Sequence, residues 1–147
     1  MMLAFVRGRR RMLRAAAAIA LCMLVPPAAA QDARGAEAQS AARQWLALTD
    51  QGDAKASWEA ADGKFKAAMS VDRWTGGLQQ VRAPFGALVQ RTVVSTRFSR
   101  SLEGFPAGDY AIVVFRSSFA KKTTAQETVT LDREQGGAWR VVGYSIS

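Results

Sequence analysis

The spacing of apolar residues changes once along this chain, at Gly86, and that change restricts the folds open to it. Before Gly86 the apolar positions recur every three to four residues. Ala38, Ala41, Ala42, Trp45, Leu46 and Leu48 line one side of a helix expected over residues 36–49, with Gly52 as its stop. Residues 53–69 place Ala54, Trp58 and Ala61, then Phe65 and Met69, on a stripe interrupted at Asp62-Gly63, which predicts two short helical pieces with a kink between them. Ser70 suits an N-cap, because its hydroxyl can accept from the first free amides, and Asp72 complements the positive helix end. The helix that follows carries the stripe Val71, Trp74, Leu78, Val81 and Phe85 and is ended by Pro84 and Gly86.

After Gly86 the period is two. Residues 88–100 are rich in β-branched side chains, and residues 110–119 are apolar almost throughout, as in a central strand covered on both faces. Residues 123–133 alternate, with Val129 and Leu131 on one side and Thr128, Thr130 and Asp132 on the other. Residues 134–137 form a hairpin turn into a last strand, whose strict alternation puts Trp139 and Val141 on one face and Val142, Tyr144 and Ile146 on the other. Gly143 in mid-strand signals a bulge or bend that curls the sheet. The fold class expected is therefore α+β in the order ααα-ββββ: three N-terminal helices, the second in two pieces, packed on a curved four-stranded antiparallel sheet. This layout is similar to the cystatin-like and nuclear-transport-factor-2-like folds.

The first thirty residues follow a different logic. Arg7, Arg9, Arg10, Arg11 and Arg14 precede an apolar run over residues 15–25 and small residues up to Ala30, the layout of a cleaved secretory signal. The run is shorter than the roughly 20 residues that span a bilayer, and Leu21 before Cys22 does not suit lipid modification, so no stable membrane anchor is expected. The Arg9-Arg10-Arg11 run loosely resembles a twin-arginine signal. The domain organisation expected is a signal over residues 1–30, a small, polar and flexible leader over 31–37, and one α+β domain over 38–147, working in the periplasm or secreted. Five of the twenty basic residues and none of the twelve acidic ones lie in the signal, so the net charge falls from +8 to +3 on cleavage. The remaining charges alternate in sign, which argues against nucleic acid as a partner.

Absent residue types narrow the chemistry further. The chain has no histidine, and its one cysteine, Cys22, leaves with the signal. Disulfides, thiolate or imidazole metal sites and a histidine-based serine triad are thereby excluded from the mature domain, and no cofactor is expected. Stability has to come from packing. Gly76-Gly77 lies inside a helical stripe without a downstream Lys-Ser/Thr, so it is no phosphate loop.

The stretches RQWLALTDQGDAKASWEAA, FKAAMSVDRW, VRAPFGALVQR, GDYAIVVFRSSFAKK and ETVTLDREQGGAWRVVGYSI follow one another in an order that resembles the bacterial family catalogued as domain of unknown function 4019. The matching positions include Ser57-Trp58, Trp74, Arg82 with Pro84 and Gly86, Arg91, Phe119, Glu127 and residues 139–144. The resemblance implies a small exported bacterial protein with no assigned activity, and it supplies no catalytic residues.

Glu127 is the residue that most needs an explanation. Counting by twos puts it on the apolar face with Val129 and Leu131, where an unpaired charge is very costly. Arg82 at the end of the last helix, and Arg91 and Arg116 on neighbouring strands, are the candidate partners. One reading is an internal ion pair that fixes how helices dock on the sheet, with no second acid or nucleophile expected beside it. The other is a pocket in which an arginine grips an anionic ligand, or a cofactor-free isomerase or hydrolase site using Glu127 with Arg82 or Tyr110. Trp45, Trp58, Trp74 and Trp139 read first as core; Trp58 is also a candidate lining residue for a flat apolar ligand. Lys121-Lys122 reads as a solvated turn or a contact with an acidic surface. The function expected is a non-enzymatic binding or interaction module for an unknown protein or small molecule, with a homodimer through the outer sheet face as a further possibility.

Overall fold

The computed structural model describes residues 27–135 and 137–147, so the segment expected to be a secretory signal lies outside the described residues up to residue 26. Four helices precede the sheet: α1 (Pro27–Asp50), α2 (Ala54–Ala60), α3 (Gly63–Ala68) and α4 (Val71–Arg82). The buried side of α1 carries Gly35, Ala38, Ala42, Trp45, Leu46 and Thr49, small residues early and large ones late. Residues 31–37, expected as a flexible leader, are helical here. Good helix formers dominate this stretch, and Arg34 ties it down by pairing with Asp109 and lying 4.2 Å over the Phe98 ring.

The expected kink at Asp62-Gly63 is a full break, which makes four helices where three were expected. Ala61 and Asp62 are extended, and each short helix has its own N-cap: Asp53 accepts from the Ala56 amide at 2.9 Å and Asp62 from the Lys64 amide at 2.8 Å. Ser70 caps α4 as its sequence position predicts, accepting from the Arg73 amide. Trp74, Leu78 and Phe85 of the α4 stripe are buried, but Val81 is 44% exposed.

The strands β1 (Leu88–Ser99), β2 (Tyr110–Phe119), β3 (Lys122–Arg133) and β4 (Trp139–Ile146) form an open antiparallel meander in the order β1-β2-β3-β4. Among the described residues the helices cover one face of the sheet. Ala111, Val113, Phe115, Ser117 and Phe119 of β2 are buried toward them, while Ile112 and Val114 are half-buried and Arg116 is exposed on the far face. Within this chain the far face of β2 is covered in part, Tyr110 fully and Ile112 and Val114 by half.

Bulges set which residues face the helices. On β1 the extra residues are Val89 and Val94, which the pairing skips and which are 69% and 56% exposed. On β4, Gly143 pairs with Thr130 and Val141 with Leu131, so Val142 is the extra residue. One added residue reverses the alternation. Tyr144, opposite Val129, and Ile146, opposite Glu127, thus share the inner face with Trp139 and Val141. Strict alternation had placed them on the other side.

The core between α1, α2 and the sheet is aromatic. Trp45 lies 5.7 Å from Trp74 and 5.4 Å from Tyr144, and Phe65 meets Trp74 edge-on at 5.1 Å. Two of the buried indoles reach Ser57: Trp45 Nε1 donates to its carbonyl at 2.8 Å and Trp74 Nε1 to its hydroxyl at 2.9 Å.

Gly86 and Gly143 respond differently to a methyl group. Gly86 has φ 74°, and a Cβ there meets Lys121 Cγ at 3.1 Å; Gly143 has ordinary backbone angles and a Cβ meets Thr130 at 3.7 Å. In denaturant titrations Gly86→Ala loses about 1–2 kcal/mol, whereas Gly143→Ala is neutral or gains up to about 1 kcal/mol.

Candidate functional site

Six elements each deliver one polar side chain to a single point under the sheet. Asp50 is the last residue of α1 and Arg82 the last of α4; Arg91 comes from β1, Ser117 from β2, Glu127 from β3 and Tyr144 from β4. Arg91 and Ser117 are cross-strand partners. Glu127 follows from the inward alternation of β3, and Tyr144 depends on the β4 bulge.

Glu127 is 0% exposed, and both its oxygens are fully used. Oε1 accepts from Tyr144 OH at 2.8 Å and Arg82 Nη1 at 3.3 Å, and Oε2 from Ser117 Oγ at 2.5 Å and Arg91 Nε at 2.7 Å. Four donors match the roughly four acceptor positions of a carboxylate. Asp50 completes the set: its Oδ1 accepts from Arg82 Nη2 at 2.6 Å and Arg91 Nη2 at 2.9 Å, and its Oδ2 from Arg91 Nη1 at 2.7 Å. Arg91 thus grips Asp50 through both terminal nitrogens, the strongest geometry for such a pair. Thr49 Oγ1 also accepts from Arg82 at 3.5 Å, and the Phe119 ring lies 4.8 Å from that guanidinium.

Two carboxylates and two guanidiniums sum to zero charge, which suits a buried cluster. Burial alone raises the Asp50 carboxyl, but hydrogen bonds from Arg91 and Arg82 outweigh it and hold the group below its ordinary value. Burial likewise opposes the charge on Arg82 and Arg91, and the bonds to Asp50 reverse that effect, so both stay protonated. The Tyr144 hydroxyl is pushed well above its ordinary value, by burial first and then by the Glu127 charge.

Of the residues singled out from sequence, Glu127, Arg82 and Arg91 come together. Arg116 does not, since it points to the exposed outer face beside Gln126. Tyr110 lies five ladder positions from Phe115, the partner of Glu127, or about 16 Å along the strand. Its hydroxyl donates to the Pro106 carbonyl at 2.7 Å. Trp58 is also elsewhere, its Nε1 donating to the Met69 carbonyl at 2.7 Å, which fixes the α3–α4 connection to α2. Lys121 and Lys122 sit exposed at the β2–β3 turn.

A second acid does converge on the cluster, contrary to the sequence expectation, and so do two hydroxyls. Asp50 carried a readable signal: an acid at the negative end of a helix is unfavourable unless a cation meets it. Ser117 interrupts an otherwise apolar inner row of β2, a second signal. For Tyr144 the one signal was the bend marked by Gly143, which does not by itself say which face the following residues take. Tyr144 also reaches a cleft of about 540 Å³ between α4 and β4, lined by Met69, Trp74, Val81 and Ile146 among others.

The signs of these shifts fix a pH profile. Asp50, held below its ordinary 3.8, contributes stability that is complete above that value and lost as the pH falls through it. Tyr144, held above its ordinary 10.0, contributes stability that is complete below pH 10 and lost as the pH rises beyond it. Unfolding free energies measured in urea therefore fall on both flanks, with Asp50→Asn flattening the acid limb and Tyr144→Phe the alkaline limb.

No curated protein matches this chain. A solved 2.5 Å structure from Catenulispora acidiphila is similar over 80% of this chain and 93% of that one, with a TM-score of 0.51 and 13% identity, a likeness of fold alone. The family model described as Protein of unknown function (DUF4019) matches residues 41–144, a span that contains Asp50, Arg82, Arg91, Ser117, Glu127 and Tyr144, and the chain belongs to that family.

Proposed function

We propose that this protein is an exported, non-enzymatic binding or interaction domain of cystatin-like or nuclear-transport-factor-2-like shape, in which the Glu127 cluster is scaffold. The observation that carries this reading is the saturation of Glu127: no exposed surface and four hydrogen-bond donors on two oxygens. A general base needs a free lone pair within reach of a substrate proton. Here the acceptor positions are filled by side chains from α4, β1, β2 and β4, while Tyr110, the alternative partner in a catalytic reading, serves the Pro106 carbonyl instead. Export is supported by the way α1 is used. Its buried residues begin at Gly35, and residues 27–30 are exposed, so cleavage after Ala30 removes no core contact among the described residues.

Glu127→Ala leaves two buried guanidiniums sharing one carboxylate and lowers the unfolding free energy by about 3–5 kcal/mol, with Glu127→Gln losing less. An alanine variant that melts with the wild type would show that the cluster is not scaffold. For export, intact-mass analysis of the periplasmic fraction from a Gram-negative host expressing the full sequence gives a chain beginning near Gln31; a chain retaining Met1 there, or none outside the cytoplasm, overturns it.

A further inference from the structure

The strand β4 is an edge of the open sheet, and among the described residues part of that edge is free. Gln126 and Ser147 exchange both backbone hydrogen bonds, at 2.9 and 3.0 Å. Bonded pairs alternate from there in an antiparallel ladder, so Ser145 bonds to Thr128 and Gly143 to Thr130. Tyr144 and Ile146 consequently turn their N–H and C=O groups away from β3. Upstream the edge is closed, because the Asp62 amide donates to the Val141 carbonyl at 2.8 Å. Beside the free part lies the cleft of about 540 Å³, with Trp74 and the 44% exposed Val81 on its α4 wall. Among the described residues, Arg73 is its one charged lining residue and no acid lines it.

We propose that residues 144–146 of β4 bind an extended, acid-bearing peptide by strand addition. Its backbone pairs with Tyr144 and Ile146; an apolar side chain enters the cleft against Trp74 and Val81; and a carboxylate two residues away, on the same face of the added strand, meets Arg73. Charge selects this occupant over two others. A second copy paired edge to edge brings a second Arg73 to the same ribbon, and residues 1–26 of this chain carry five arginines and no acid. The proposal deepens the interaction-domain reading and rests on it.

The test titrates the protein expressed from its full sequence with acetyl-Thr-Val-Thr-Asp-Thr-amide, with the lysine-for-aspartate peptide, and with a backbone N-methylated aspartate peptide. Binding and amide hydrogen exchange at Tyr144 and Ile146 are followed by NMR. The aspartate peptide slows exchange at both amides and binds about tenfold more tightly than the lysine peptide. Arg73→Glu reverses that preference with unfolding unchanged, since only the backbone amide of Arg73 serves the α4 cap. Unaltered exchange with the aspartate peptide at millimolar concentration overturns the proposal, as does equal binding of the N-methylated peptide. Protection that grows with protein concentration and without peptide assigns the edge to a second copy instead. A failed titration beside a destabilised Glu127→Ala removes the edge site and leaves the scaffold reading standing; an undisturbed Glu127→Ala removes that reading whatever the peptide does.

Discussion

A carboxylate with no exposure to water has to be neutralised where it sits, and in this protein the neutralisation of Glu127 connects most of the fold. Its partners come from α4 and from all three other strands, and both arginines continue to Asp50 at the end of α1. Breaking one member leaves an uncompensated charge in a place water does not reach, so the cluster penalises any other docking of α1 and α4 on the sheet. Helix polarity contributes as well. The α1 C-terminus adds partial negative charge beside Asp50, and the two guanidiniums offset both.

The bulges are what allow four strands to supply this point together. Val94 on β1 and Val142 on β4 each add a residue, and each returns the following side chains to the opposite face. Arg91, Val93, Thr96 and Phe98 all oppose inward residues of β2 because Val94 is skipped. Tyr144 reaches both Glu127 and the Trp45–Trp74 aromatic group for the same reason on β4. A strictly regular β4 loses one hydrogen bond to Glu127 and one wall of the aromatic core at once.

Packing without disulfides is concentrated on one side of the sheet. Alanines on α1 let that helix approach closely, while Trp45, Phe65 and Trp74 fill the space toward β4. The outer face is left to Thr128, Thr130 and Arg116 among half-buried Ile112 and Val114. Because α4 ends at the buried cluster and leans on α2, its side nearest β4 is incompletely covered, and Val81 stays in contact with water. The tight polar end of the molecule and the open apolar cleft are thus neighbours, joined by Tyr144.

Sequence alone determined the division into helices and strands and the inward acid. A change from helical to alternating period at Gly86 separates helices from strands, the Ser70 cap is set by local hydrogen bonding, and the parity of β3 places Glu127 beside Val129. These are short-range properties, carried by side chains a few residues apart. Only the tertiary structure decided that Asp50 and Ser117 complete the cluster, that Arg116 and Tyr110 stand outside it, and that Tyr144 faces inward. Such facts depend on cross-strand register and helix docking between residues as far apart as Asp50 and Arg91; Gly143 marks a bend in β4, but which residue is skipped, and so which side chains turn inward, is set by the pairing with β3.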